Sequence, residues 1–315
     1  MRKMTALIVA FQVMAPIFIL MSVGFGARRF GILNDTIIRP INNLVFRVFL
    51  PAMLFISIYN MDINELFNVK LIAYITIVTL TSFMIAFFLV PRFEKKRERT
   101  GVLIQAMVRG NIVYFGFPIV ALLVGEKYLG LAALVIAIVA PLYNIISVIS
   151  LEIFREGKPE IRNVLIGIFK NPMIISVAVA LVFLIFDIPI HQVIMIPLLD
   201  LAKVASPLAL ILLGGSFSFA SAKGYEKEIL TAIVFKLLLV PAVALPIAIL
   251  LGFNQGELGT ILATLGAPTA VASFAMAQQM EGDDLLAGQI VVYTSAFAVV
   301  TIFIWIVIFK HFGYL

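Results

Sequence analysis

Ten long apolar runs follow one another along the chain, and they constrain its fold more than any other feature. A helix needs about 20 apolar residues to cross the hydrocarbon core of a bilayer. The connections between the runs are short, so the sequence predicts an all-α integral membrane protein with ten transmembrane helices. The runs cover approximately residues 5–27, 39–60, 71–92, 100–124, 128–154, 163–186, 197–221, 228–251, 257–279 and 284–309.

The composition and the absent motifs narrow the class further. Of the 315 residues, 63% are hydrophobic and 13% are charged, whereas soluble chains are about 45–50% apolar and about 25% charged. The chain has no cysteine, which excludes disulfides and thiolate chemistry. It has neither a Gly-x-x-x-x-Gly-Lys-Ser/Thr loop nor a His-Glu-x-x-His motif. We therefore expect no enzyme, no cofactor and no metal site.

The basic residues predict the orientation in the membrane. Of the 23 Lys and Arg residues, 14 lie in connections on one side of the predicted helices and five on the other. Cytoplasmic loops are the ones rich in Lys and Arg. The connection at 155–162 is therefore expected in the cytoplasm, and both termini are expected on the outer side of the cytoplasmic (inner) membrane. The basic run at 94–99 is interpreted as a topology signal, so we expect no nucleic-acid partner.

An internal repeat is suggested when the sequence is shifted against itself by 156 residues. The shift places Pro16 on Pro172, Arg47 on Lys203, Pro51 on Pro207 and Gly110 on Gly266. The repeats would be residues 1–154 and 163–315. Each holds five helices, an odd number, so the two repeats must cross the membrane in opposite directions. Inverted repeats of this kind are typical of secondary transporters.

The fourth and ninth runs are interrupted by glycine and proline, at 109–118 and 266–273. Proline removes a backbone donor and glycine tolerates unwinding. Unwound backbone in a membrane is viable where it lines a cavity or is buried in protein, so the pair predicts a substrate site; an ordinary proline kink is the alternative. The expected substrate-binding residues are Arg109, Asn111, Tyr114, Gly116, Pro118, Gly266, Pro268 and Thr269.

Four cations lie inside predicted spans, with few acidic residues beside them. Such charges need a partner, a wet cavity or a path to the interface. A net basic interior suits an anionic substrate, and Arg109 is expected either to contact it or to form a structural pair. Snorkelling to the interface is the alternative for the other three. Possible gating or charge partners are Arg47, Lys203, Lys236 and Asn43, and Asn43 and Asn144 are possible pathway linings.

Several segments resemble the auxin efflux carrier family, and the resemblance covers essentially the whole chain. They are Ile-Asn-Asn-Leu-Val-Phe-Arg-Val-Phe-Leu-Pro-Ala-Met-Leu-Phe at 41–55, Gly110-Asn111, Phe-Gly-Phe-Pro at 115–118, Asn171-Pro172 and Gly266-Ala267-Pro268. The resemblance implies a fold related to bile-acid sodium symporters. Helices 1, 2, 6 and 7 would form a scaffold, and helices 3–5 and 8–10 a moving core. Broken helices 4 and 9 would cross near the midplane, with Asn111, Pro118 and Pro268 at the site.

The same resemblance implies a transporter of a small organic anion, either a malonate-like carboxylate or an auxin-like aromatic acid. The long cytosolic loop of plant members is absent here. The core would slide against the scaffold in elevator-type alternating access, with Na⁺, H⁺ or no ion as the coupling partner. Other expected partners are membrane lipid and a second copy of the chain, bound through the scaffold helices. The alternative is a membrane receptor or regulator that binds an anionic metabolite without transporting it.

Overall fold

The computed structural model describes residues 2–60, 68–125, 128–155, 170, 172–216 and 223–314. Regular secondary structure in these ranges is helical, apart from an isolated bridge between Gly110 and Thr269. The all-α prediction is therefore confirmed for the described part of the chain. The predicted 155–162 connection lies outside it from residue 156 onward, as do residues 163–169 and Asn171.

The described helices follow the order of the predicted spans. Three of the spans also contain a π-helical segment. The α-helices are α1 Arg2–Arg29, α2 Asp35–Leu44, α3 Leu50–Tyr59, α4 Val69–Phe93, α5 Arg97–Val108, α6 Phe117–Val124, α7 Leu129–Ile153, α8 Pro172–Ile185, α9 Gln192–Ser216, α10 Glu226–Ile233, α11 Val240–Leu250, α12 Gln255–Leu265, α13 Ala272–Gln279 and α14 Asp284–His311. The π segments are Val45–Phe49 between α2 and α3, Ile112–Gly116 before α6, and Val234–Leu239 between α10 and α11.

Six continuous helices of the described part are long and apolar enough to cross a membrane. They coincide with the second, third, fifth, seventh, eighth and tenth predicted spans. The fourth and ninth predicted spans are each divided into two shorter helices, α5 with α6 and α12 with α13. The total of ten spans and their inverted repeat stay predictions. The six helices are Asp35–Ile56, Val69–Phe93, Leu134–Ile153, Gln192–Ser216, Glu226–Leu250 and Asp284–His311.

Polar side chains at the span boundaries fix where several helices begin. Asn254 and Glu257 form a capping box at the start of α12, in which each side chain accepts a hydrogen bond from the backbone N–H of the other. The Asn68 side chain accepts from the Leu71 amide at the start of α4 in the same way. These caps satisfy amide groups that have no partner within the helix.

A proline follows each π segment, in the first turn of the next α-helix: Pro51, Pro118 and Pro241. Proline has no N–H, so the carbonyl four residues earlier loses its helical donor. After the third π segment this carbonyl belongs to Leu237, and the indole Nε1 of Trp305 donates to it over 3.2 Å. The wide turns are thus anchored by neighbouring helices. π-helical turns of this kind are frequent at functional sites.

The described helices pack as two groups in contact with each other. α1, α2, α3, α8 and α9 form one group, here named the α1/α9 bundle. α4 to α7 and α10 to α14 form the other, here named the crossover bundle. The α1/α9 bundle contains the helices expected to form the scaffold, and the crossover bundle contains those expected to move. That assignment stays a prediction.

Candidate functional site

The chain segments that follow α5 and α12 cross each other and pair through their backbones. The Asn111 amide donates to the Pro268 carbonyl over 2.8 Å, and the Ala270 amide donates to the Arg109 carbonyl over 3.3 Å. These bonds flank the antiparallel bridge between Gly110 and Thr269. Each interruption therefore satisfies polar groups of the other, which is what unwound backbone requires at membrane depth. We name this pairing the crossover.

Glycines allow the two interrupted helices to approach closely at the crossover. A Cβ atom on Gly110 would lie 3.2 Å from both the Thr264 carbonyl oxygen and Nζ of Lys236. A Cβ atom on Gly116 would lie 3.1 Å from the Ala263 carbonyl oxygen. Both distances are shorter than ordinary van der Waals contact. The glycines expected at the site therefore shape the crossover because they have no side chain.

A cavity of about 50 Å³ lies beside the crossover. Its wall comes from α3 in the α1/α9 bundle and from the crossover and α7 in the crossover bundle. Ligand pockets are usually about 300–1,000 Å³, so the cavity is narrow in this conformation. The lining residues are Leu50, Met53, Leu54, Arg109, Gly110, Asn111, Ile112, Ala140, Tyr143, Asn144, Ala270, Val271 and Ala272.

Two helix N-termini meet at this cavity. Ile112 begins the helical segment after the first interruption, and Ala272 begins α13 after the second. Both residues line the cavity. The first amides of a helix have no partner within it, and the helix dipole places partial positive charge there. The backbone therefore gives the cavity a positive potential on two sides.

Two asparagine side chains in the cavity wall carry polar atoms without a partner. Nδ2 of Asn111 and both amide atoms of Asn144 are buried and lack a hydrogen bond from any described residue. The exposed fractions of these residues are only 4% and 1%. Most buried polar side-chain atoms in proteins are hydrogen-bonded. Amide groups beside a cavity that have no hydrogen-bond partner among the described residues suit a polar ligand.

Arg109 is buried and lines the same cavity, with an exposed fraction of 6%. Its Nη1 lies 3.4 Å from the hydroxyl oxygen of Ser147 and also contacts the sulfur of Met276. None of the salt bridges found within the described ranges includes Arg109. A buried cation without a carboxylate is costly, and an anionic ligand would supply the missing charge.

No residue of the ion pairs seen in the described part lines the cavity, and all of these pairs except Lys203–Asp200 lie near the ends of helices. The hydrogen bond donated by Arg155 lowers the pKa of the Glu281 carboxyl group. Burial, with a smaller contribution from Asp283, raises the pKa of the Tyr225 hydroxyl to about 12. The same ranges contain no cluster of three or more His, Asp or Glu suited to a metal ion. The pairs are Arg28–Asp35, Arg99–Asp283, Arg99–Glu228, Arg155–Glu281 and Lys203–Asp200.

Among the expected substrate-binding residues, the structure places Arg109 and Asn111 at the cavity. Gly266 and Pro268 belong to the backbone that forms the second interruption. Thr269 is fully buried, and its hydroxyl donates to the Ala106 carbonyl over 3.0 Å, so it closes the end of α5. The side chains of Tyr114 and Pro118 lie outside the described residues.

The expected gating residues lie in different surroundings. Lys236 is buried beside the crossover and donates to the Val108 carbonyl. Asn43 is half-buried outside the cavity wall, and its side-chain oxygen has no partner among the described residues. Arg47 and Lys203 are exposed on the α1/α9 bundle, and neither lines the cavity.

Tyr143 lines the cavity but was not expected from the sequence. The available signal was its neighbour Asn144, a polar residue in the middle of an apolar run, three residues after Pro141. Adjacent helical residues point in directions about 100° apart, since the helix has 3.6 residues per turn. The sequence alone therefore did not predict that Tyr143 and Asn144 both line the cavity.

The helical bundle, its paired interruptions and its buried cations are features of a multi-pass membrane transport protein. A family model described as membrane transport protein matches residues 9–163 and 158–306. The chain therefore belongs to the membrane transport protein family, that of the auxin efflux carriers, and the resemblance seen in the sequence is confirmed. It is also similar to the uncharacterized transporter MJ1031 of Methanocaldococcus jannaschii, with 25% identity over 303 residues, 93% of this chain and 97% of that protein.

Proposed function

We propose that the protein is a secondary transporter that moves a small organic anion across the cytoplasmic membrane. The observation that carries the proposal is the cavity at the crossover, which is lined by two helix N-termini, by Arg109 and by the unpaired asparagine amides. Half-helix N-termini at a transporter midplane point at anionic substrate groups. A malonate-like carboxylate or an auxin-like aromatic acid fits this chemistry.

The charges around the cavity favour an anion over a cation or a neutral solute. Arg109 and Lys236 are both buried near the crossover, and neither forms a salt bridge within the described ranges. A carboxylate would accept hydrogen bonds from the Nδ2 groups of Asn111 and Asn144, which have no partner among the described residues. Binding would therefore lower the free-energy cost of burying Arg109 and the unpaired asparagine amides.

The two sides of the cavity belong to different bundles, which supports alternating access. Leu50, Met53 and Leu54 come from α3, and the crossover faces them. Because the cavity is narrow, a substrate requires the bundles to separate. Sliding of the crossover bundle against the α1/α9 bundle would widen it toward one side of the membrane and then the other. This is an elevator-type cycle in which the α1/α9 bundle is the scaffold.

The remaining parts of the proposal follow from the sequence. The distribution of basic residues favours cytoplasmic placement of the 155–162 connection, with both termini outside. The proposed fold is ten spans in two inverted repeats of five. The α1/α9 bundle exposes apolar side chains such as Ile194 and Val193, which suit contact with lipid or with a second copy in a homodimer.

The experiment is a thermal-shift screen of organic anions on the purified protein, with and without Na⁺, followed by counterflow of labelled malonate in proteoliposomes. We expect carboxylates to raise the melting temperature and labelled malonate to accumulate inside the vesicles. A receptor would give saturable binding without accumulation. If no anion in a broad panel stabilises the protein, the proposal is wrong.

A pair of asparagine variants locates the site. Asn111→Ala removes an amide at the cavity and should abolish the anion-dependent shift. Asn60→Ala makes the same chemical change at the exposed end of α3 and should leave the shift intact. An unchanged shift in Asn111→Ala would place the anion elsewhere in the protein.

A further inference from the structure

Lys236 is a buried cation that the proposed anion site does not contain. It lies in the Val234–Leu239 π segment, and only 2% of the residue is exposed. Its Nζ donates to the Val108 carbonyl over 2.8 Å and lies 5.6 Å from the ring centroid of Tyr143. Neither contact supplies a negative charge. A charged side chain at membrane depth is costly and by default indicates function.

The acceptor of this hydrogen bond is the last carbonyl of α5. The final carbonyls of a helix lack intrahelical partners and carry partial negative charge, so they attract cations. At this end the Gln105 carbonyl accepts from the Arg109 amide, and the Ala106 carbonyl accepts from the Thr269 hydroxyl. Of these three donors at the end of α5, only the Lys236 ammonium group is charged. It contacts α5 at the point where the crossover begins.

The backbone around Lys236 holds the ammonium group in this place. Pro241, which follows the π segment, leaves the Leu237 carbonyl without a helical donor, and Trp305 on α14 donates to it. On the other side, a Cβ atom on Gly110 would lie only 3.2 Å from Nζ, so the crossover fits closely around the ammonium group. The ammonium group is therefore surrounded by α5, the crossover and the Tyr143 ring on α7, and the residue is buried.

In transporters with interrupted helices, unwound carbonyls and half-helix C-termini coordinate the coupling Na⁺ or proton. We infer that the Lys236 ammonium group is a built-in cation at this position and replaces a dissolved coupling cation. Anion binding at the crossover then needs no Na⁺. This inference rests on the proposed function. Lys236 acts as a positioning residue, because it holds the end of α5 and the crossover rather than lining the cavity.

The test uses the full-length protein in detergent and a cation series of Na⁺, methylammonium and choline. In the wild type we expect the malonate-induced rise in melting temperature to be the same in Na⁺ and in choline. Lys236→Ala leaves space for a small cation beside the Val108 carbonyl. In this variant we expect methylammonium or Na⁺ to raise the melting temperature in the absence of malonate. We also expect methylammonium or Na⁺, but not choline, to restore the rise in melting temperature that malonate causes.

Two further variants separate charge from packing. Lys236→Met keeps the length of the side chain and removes the charge, so we expect a folded protein whose half-saturating malonate concentration rises roughly tenfold or more. Lys310→Ala removes an exposed lysine in the last turn of α14 and should match the wild type in every arm. A wild-type malonate response that requires Na⁺, or an unchanged response in Lys236→Met, would overturn the inference.

The cation arm does not depend on which anion the protein carries. A melting temperature of Lys236→Ala that rises with methylammonium supports a cation position at the end of α5 even if malonate has no effect on any variant. In that case the choice of anion is wrong and the cation position stands. If malonate binds the wild type and the cation series changes no Lys236 variant, the built-in cation is wrong and the proposed function stands.

Discussion

Asn144 shows how the site affects stability at the scale of one residue. Both of its amide atoms are buried at the cavity without a partner among the described residues. A buried polar group without a hydrogen bond costs about 1–3 kcal/mol. The ligand-free protein should therefore be less stable than a version with an apolar side chain at this position. We explain this lower stability by the role of Asn144, whose amide is placed to bind a ligand rather than to stabilise the empty protein.

We predict opposite effects of Asn144→Leu on stability and on binding. The ligand-free variant should gain about 1–3 kcal/mol of unfolding free energy, and its malonate-dependent shift should disappear. Thermal unfolding with and without malonate measures both quantities. The control is Ser150→Ala on the same helix, whose hydroxyl donates to the Ile146 carbonyl. Ser150→Ala removes a bonded polar group and should be less stable than the wild type, and a ligand-free Asn144→Leu protein that is also less stable than the wild type would contradict the prediction.

The sequence predicted the residues at the crossover better than the surroundings of the charges. Gly110, Asn111 and Pro268 were found because glycine and proline inside an apolar run signal an interruption. Lys236 was expected as a possible gating or charge partner, with snorkelling to the interface as the alternative. Its observed partner is a backbone carbonyl, which leaves no trace in the residue pattern. Arg47 was grouped with it, but the direction of a side chain depends on the packing of the whole helix.

At the scale of elements, α1 and α9 touch through their backbones. A Cβ atom on Gly24 would lie 1.8 Å from the Ile211 carbonyl oxygen, and one on Gly214 would lie 1.9 Å from the Met21 carbonyl oxygen. Small residues let membrane helices approach closely. This contact could not be predicted from the sequence, because the two glycines lie in distant segments. The π segments were also unforeseen, since one extra residue per turn leaves an apolar run apolar.

We predict that Gly24→Ala weakens the contact between α1 and α9. The added methyl group has no space, so the unfolding free energy should fall by about 1–3 kcal/mol. Thermal unfolding in detergent measures the change. The matched control is Gly26→Ala on the same helix, where a Cβ atom meets no other atom within 4 Å. Equal melting temperatures for the two variants would show that the helices are not in close contact at Gly24.

At the scale of the whole molecule, a polar bridge joins the two bundles. The Asn42 side chain on α2 donates to Oε1 of Gln278 on α13 over 2.7 Å, and Gln278 donates to Asp284 on α14 over 2.8 Å. Membrane helices commonly associate through such amide contacts. If the crossover bundle slides against the α1/α9 bundle during transport, this bridge must break in every cycle.

The absence of cysteine makes that movement directly testable. Cross-linking Asn42→Cys to Gln278→Cys with a short thiol reagent ties the bundles together, so malonate counterflow should stop and return on reduction. The control pair is Asn68→Cys with Glu257→Cys, because these side chains also bond over 2.7 Å and both lie in the crossover bundle. Its cross-link should leave counterflow intact. Full counterflow through completely cross-linked 42–278 protein would exclude sliding, and transport would then have to proceed by changes within the crossover bundle alone.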